Sequence, residues 1–169
     1  CTGLLIGFET ISSSGLGAIR KRFNDPSAYA GLIRDLHRLG ITIQGCFVFG
    51  NDHDTEETFD ETVDFVLETE IDLPRFAVLT PFPGTPLFHR YAREGRILTR
   101  DWDRYDGQHV VFQPKNMSVA ALQKGHESAW RRAYSYRAIF SRLRHAGSQI
   151  PLSLTANLGY RFYAHHLDR

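Results

Sequence analysis

The sequence predicts an α/β protein: three parallel β/α units followed by a mainly helical extension. Two observations carry this. Short apolar runs alternate with amphipathic helical segments, and each connection is long enough for a right-handed parallel crossover. After Gly95 the alternation stops and an aromatic, then basic, helical pattern replaces it. That change divides the chain into residues 1–95 and residues 96–169.

The runs at 3–8, 41–49 and 75–80 read as strands. They are nearly continuous rather than alternating, which suits strands covered on both faces. Asn24 and Asp25 announce the first helix, with Pro26 at an early helical position. Tyr29, Leu32, Ile33, Leu36 and Leu39 follow at helical spacing, and Gly40 stops it. Asp54-Thr55-Glu56-Glu57 has a capping-box pattern, and Phe59, Val63, Val66 and Leu67 form the inward stripe of the second helix. A third helix is predicted over 86–94. Three such units are too few to close a barrel.

Residues 96–117 are aromatic and loop-like, with Trp102, Tyr105, Gly107, Phe112 and Pro114. Ser118 caps a long helix predicted to reach about Arg144. It carries Lys124, Arg131, Arg132, Arg137, Arg142 and Arg144 against one acid, Glu127. Gly147 breaks it, and a last apolar helix starts near Pro151.

Composition narrows the class. The chain has 169 residues, 42% hydrophobic and 23% charged, enough apolar material for a packed core. A net charge of +1 gives no global field toward a polyanion. Two cysteines, Cys1 and Cys46, exclude a disulfide framework and suit a reducing compartment. The sequence shows no signal peptide and no apolar run of about 20 residues, so a cytoplasmic location is expected. The chain opens on Cys1 and enters an apolar strand almost at once. The simple expectation is a piece of a larger α/β enzyme, inactive alone.

Parallel α/β sheets bind ligands at the carboxyl ends of their strands. Three clusters stand there: Glu9-Thr10-Ile11-Ser12-Ser13, Gly50-Asn51-Asp52-His53-Asp54-Thr55, and Thr80-Pro81-Phe82-Pro83-Gly84-Thr85-Pro86. All face one rim and can converge on one ligand. Each also has a plain structural reading. Glu9 can accept backbone N–H bonds in its turn, Asp54 reads as a helix cap, and His53 beside Asp52 reads as a solvated loop pair. The proline-rich segment can be a rigid turn. Cys46 reads as a small core residue. Cys1, Cys46 and His53 contain no local ligand pair, so no metal site is expected, and no catalytic residue is assigned.

These segments resemble radical SAM enzymes that carry an N-terminal cobalamin-binding domain. Leu5-Ile6-Gly7-Phe8-Glu9-Thr10 is similar to that family's fourth strand end. Residues 41–50 are similar to its fifth strand, Asp54-Thr55 to the pair that follows, and Thr80-Pro81-Phe82-Pro83-Gly84-Thr85-Pro86-Leu87 to the turn after the sixth strand. Asp101-Trp102, Tyr105-Asp106-Gly107, Phe112 and Pro114 resemble the C-terminal extension of a subgroup that includes proteins linked to hopanoid biosynthesis. The resemblance implies the C-terminal half of a partial (βα)6 TIM-like barrel. It implies S-adenosylmethionine as cosubstrate, with a [4Fe-4S] cluster and cobalamin whose ligands are not in this chain. Glu9 matches the residue contacting the ribose or amino acid part of the cosubstrate. Ile43, Gly45 and Phe47 match the strand packing on adenine. Thr80 and Pro81 match the sixth-strand end, and Ser12 and Asn51 complete the implied rim. The implied partners are a small-molecule or lipid-like substrate and the missing N-terminal half with its cobalamin domain. The chain gives no clear nucleic-acid signal and is compatible with peripheral membrane contact.

Two rival readings stand beside this one. An ordinary α/β enzyme binding phosphate would need a glycine-rich phosphate loop, and none is present. A non-catalytic module would use the basic helix 118–144 to contact nucleic acid, anionic lipid or a partner protein.

Overall fold

Alternation along the second strand sets the architecture. The computed structural model describes residues 1–12, 25–145 and 150–167. Strands β1 (Gly3–Glu9), β2 (Thr42–Phe49) and β3 (Leu73–Val78) form one parallel sheet in the order β1-β2-β3. Helices α1 (Pro26–Arg38) and α2 (Glu57–Thr69) are the crossovers. Ile43, Phe47 and Phe49 of β2 are buried, while the intervening Gln44, Cys46 and Val48 are only half-buried. On the buried face, Phe8 stacks on Phe47 and Phe76 stacks on both Phe47 and Phe49. Tyr29 and Ile33 of α1 and Phe59, Val63 and Val66 of α2 complete this layer. Tyr29 also donates its hydroxyl to the Phe8 carbonyl at 3.2 Å.

Helix α1 starts as expected: the Asp25 side chain accepts from Ser27 N, and Pro26 opens the helix. Helix α2 does not start from Asp54. Its N-terminus at Glu56 has no side-chain cap, and the predicted capping box is not formed. The third strand lies two residues earlier than predicted. Pro74 is tolerated because β3 is an edge strand, where a missing N–H breaks no ladder. Thr80 instead folds its hydroxyl back onto the Val78 carbonyl. The expectation that all three strands are covered on both faces is corrected at β1, where Leu5 is 65% exposed at the sheet's other edge.

Helix α3 (Pro86–Arg93) follows, capped by Thr85. The long basic helix expected from Ser118 is two helices, α4 (Val119–Ala133) and α5 (Tyr136–Arg142). Ser135 ends the run because its hydroxyl accepts from Ala138 N and starts a new helix. Helix α6 (Ile150–Ala164) is the last element. Asn24, Ser13 and the predicted breaker Gly147 lie outside the described residues.

Helix α4 lies along the outer edge of β3. Tyr134 donates its hydroxyl to the Pro74 carbonyl at 2.8 Å, and Trp130 its indole N–H to the Phe76 carbonyl at 3.0 Å. Val78 N donates to the Gly107 carbonyl at 2.7 Å. Residues from both sides of position 95 thus share one core.

Candidate functional site

With α1 and α2 on one face, the sheet presents its other face and its carboxyl-terminal rim. In register, Gly7 of β1, Cys46 of β2 and Arg75 of β3 form one row across that face. Arg75 is exposed, and its guanidinium makes no ion pair or hydrogen bond among the described residues. Burial raises the Cys46 thiol pKa; the nearby Arg75 charge opposes this and Glu9 reinforces it. Both charges therefore lie close to Cys46. Glu9 stands at the end of β1, past a register shift after Gly7, with φ 66°. A glutamate in the left-handed region is uncommon and held there by its surroundings.

Helix α6 covers the amino-terminal part of this face. Gln44 donates its amide to the Tyr160 hydroxyl at 3.1 Å, and Asn157 donates to the Asp72 carbonyl at 3.3 Å. Asn157, Tyr160 and Tyr163 recur every three residues along one side of the helix. Burial raises the Tyr163 phenol, and the Arg75 charge acts against that rise. Beyond α6, Gly7, Cys46, Val48 and Ala77 leave a floor of small side chains, bounded by Glu9 on one strand and Arg75 on another.

The rim loops are held from behind. The Asp54 carboxylate accepts from Gly50 N at 2.8 Å and Asn51 N at 2.9 Å. Burial raises its pKa while these bonds resist the rise. Asn116 donates to the Asp52 carbonyl at 2.9 Å. Asp52, expected as a solvated partner of His53, instead binds Arg96 at 2.8 Å, Arg90 at 3.1 Å and the Tyr91 hydroxyl at 3.2 Å. Burial alone would raise the Asp52 pKa, but Arg96 and Arg90 hold it below the ordinary carboxylate value.

The structure sorts the sequence-predicted residues. Glu9 ends β1 and Ser12 follows it at the rim, Asn51 follows β2, and Thr80 and Pro81 follow β3. The Asn51 amide is turned to the Val48 carbonyl and Asp54, and the Thr80 hydroxyl to the Val78 carbonyl. Ile43 and Phe47 lie in the core under the crossover helices, at most 1% exposed. A Cβ on Gly45 would meet Phe8 and Ile71 at 3.1 Å, so this glycine answers to core packing. The open face of β2 carries Gln44, Cys46 and Val48 instead. Sequence reading made Cys46 a small core residue, where the structure leaves it half-buried on the uncovered face, and it passed over Arg75. The signal was present: Gln44 is the one amide in β2 and Arg75 the one charge in β3.

The larger clefts among the described residues lie elsewhere. One of about 480 Å³ separates α2 from α4, and one of about 360 Å³ lies between the end of α2 and α5. Neither is lined by Glu9, Cys46 or Arg75. Among the described residues no group of three His, Cys, Asp or Glu could hold a metal ion.

Residues 85–158 match a family model described as a domain of unknown function, DUF4070. The chain is 37% identical over 144 residues to the bacteriochlorophyllide d C-12(1)-methyltransferase of Chlorobaculum tepidum, covering 85% of this chain and 31% of that protein. It is 34% identical over 143 residues to the bacteriochlorophyllide d C-8(2)-methyltransferase of the same organism, covering 84% and 32%. It is 31% identical over 142 residues to the hopanoid C-2 methylase of Rhodopseudomonas palustris, covering 84% and 26%. The chain is thus homologous to a segment of methyltransferases and spans about a third or less of their length.

Proposed function

We propose that this chain supplies part of the S-adenosylmethionine-binding wall of a radical SAM methyltransferase that uses cobalamin. The observation that carries this is the floor of small side chains on the uncovered sheet face, bounded by the Glu9 carboxylate and the Arg75 guanidinium. The cosubstrate presents ribose hydroxyls, an ammonium and a carboxylate. Glu9 accepts from the hydroxyl or ammonium groups, and Arg75 can grip a carboxylate through paired N–H donors. Gly7, Cys46, Val48 and Ala77 leave room above the sheet. Ser12, Asn51, Thr80 and Pro81 frame the rim, with Asn51 and Thr80 shaping its loops through their side chains. Ile43, Gly45 and Phe47 act from beneath, fixing the strand.

The residues of this chain do not fit a [4Fe-4S] cluster, which takes at least three thiolates where Cys1 and Cys46 offer two. They single out no cobalamin site. The relatives' names suggest a large, mostly apolar substrate, here a lipid-like or pigment-like molecule. The rival reading of a basic binding helix has lost its continuous face. Arg132 is paired with Asp60 and Asp64 of α2, and Arg142 is buried against Asn157 and the Ala133 carbonyl.

Calorimetric titration of S-adenosylmethionine into the intact protein tests the site. Glu9→Gln and Arg75→Gln should each weaken binding by about 1.5–3 kcal/mol, roughly 10- to 150-fold. Glu57→Gln, at an exposed helix start, should leave it unchanged. Wild-type affinity in both site variants would refute the assignment.

A further inference from the structure

We infer that the outward faces of α5 and α6 form a docking surface for an anionic lipid membrane. Helices α5 and α6 lie side by side and antiparallel: Arg161 sits 3.9 Å over the Tyr136 ring, and Arg142 binds Asn157 at 3.1 Å. Their inward residues, Ala138, Ile139 and Asn157 among them, are buried. Their outward residues are apolar where solvent would ordinarily select polar ones. Phe140 is 64% exposed and Phe162 is 68% exposed, with Tyr136 and Leu158 also exposed.

Charge identifies the occupant. Residues 128–167 contain six arginines and no Asp or Glu. On α5, exposed Arg137 stands beside exposed Tyr136 and Phe140, while Arg144 in the turn after it is paired with Glu70 at 3.1 Å. Aromatic and aliphatic residues beside exposed Arg137, with no acid on α5 or α6 themselves, match the interface of an anionic bilayer. A nucleic acid would reward the arginines and stack on the aromatics, but it would gain nothing from exposed Leu158. No helix among the described residues is long and apolar enough to cross a membrane, so this surface would lie on the bilayer. The inference stands apart from the cosubstrate reading, since it uses no residue of the strand rim.

The test is co-sedimentation of the intact protein with vesicles of phosphatidylcholine alone, or with about 30% phosphatidylserine, at low and high salt. Binding to the anionic vesicles that weakens with salt is expected. Phe140→Ser with Phe162→Ser should reduce it at least about tenfold, and Arg137→Glu about fivefold or more. Both sites are exposed, and circular dichroism checks the fold. Should the double variant unfold, Arg137→Glu decides alone. No enrichment on anionic vesicles would overturn the proposal. So would unchanged binding in the folded variants, or capture of poly(U) or a protein with no vesicle binding.

Discussion

Trp130 donates its indole N–H to the Phe76 carbonyl at 3.0 Å, while the two rings meet edge to face at 5.7 Å and 84°. One residue thus satisfies an edge-strand carbonyl and packs on the side chain beside it. Four helical residues advance about 6 Å and two strand residues about 6.6 Å. Trp130 and Tyr134 can therefore meet alternate carbonyls, Phe76 and Pro74, in antiparallel order. Helix α4 closes the edge that a further strand would otherwise extend, which removes a site for unwanted pairing.

Tyr134→Phe keeps the ring and deletes the bond to Pro74, leaving a buried carbonyl unsatisfied. A loss of about 1–3 kcal/mol is expected in urea unfolding. Trp130→Ala also removes the ring and should cost about 3–5 kcal/mol. A Tyr134→Phe variant as stable as wild type would show that the edge bond contributes nothing net.

Acid should weaken this same seam. His126 is fully buried, with Nε2 3.2 Å from the Phe76 oxygen and Nδ1 without a partner. Burial depresses its pKa below 6.5, despite the Phe76 carbonyl, Glu127 and Asp106, which favour the proton. The unfolded chain therefore takes up this proton first as pH falls. Stability should decline below about pH 6.5, by at most about 1.4 kcal/mol per pH unit from this group, down to its folded pKa. His126→Gln should flatten that part of the pH profile. An identical profile in the variant would exclude His126 as the source.

Two glycines mark close approaches. A Cβ on Gly125 of α4 would lie 2.3–2.5 Å from the Phe59 ring of α2, an impossible contact without movement. Gly125→Ala should cost about 1–3 kcal/mol or more through overpacking. Gly45→Ala, with contacts at 3.1–3.2 Å, should cost less. Thermal melts order the two. The reverse order would place the tighter constraint at the strand.

Glu9 separates stability from binding. Its φ of 66° is a strain that glycine does not feel. Glu9→Gly should leave stability unchanged or raise it by up to about 1 kcal/mol, while cosubstrate affinity falls as in Glu9→Gln. Lower stability with intact affinity would make Glu9 a turn residue only.

Much of this protein was determined by its sequence alone. The order of strands and helices follows from hydrophobic periodicity, and the starts of α1 and α4 from Asp25 and Ser118, because these are local properties of a few neighbouring residues. Other features depended on tertiary structure. Alternation in β2 shows two faces but cannot say which one α1 and α2 will cover, since both carry apolar residues. The crossovers buried Ile43 and Phe47, and so left Cys46 and Arg75 on the uncovered side. Asp54 looked like a helix cap because caps are local; the β2 turn placed Gly50 and Asn51 N–H within its reach instead. The basic stretch read as one helix because no proline or glycine breaks it near Ser135. Only the fold assigned Arg132 to the acids of α2, paired Arg144 with Glu70, buried Arg142 against α6, and left Arg137 outward beside Phe140. Partners distant in sequence are invisible to local pattern, and the site is made of such partners.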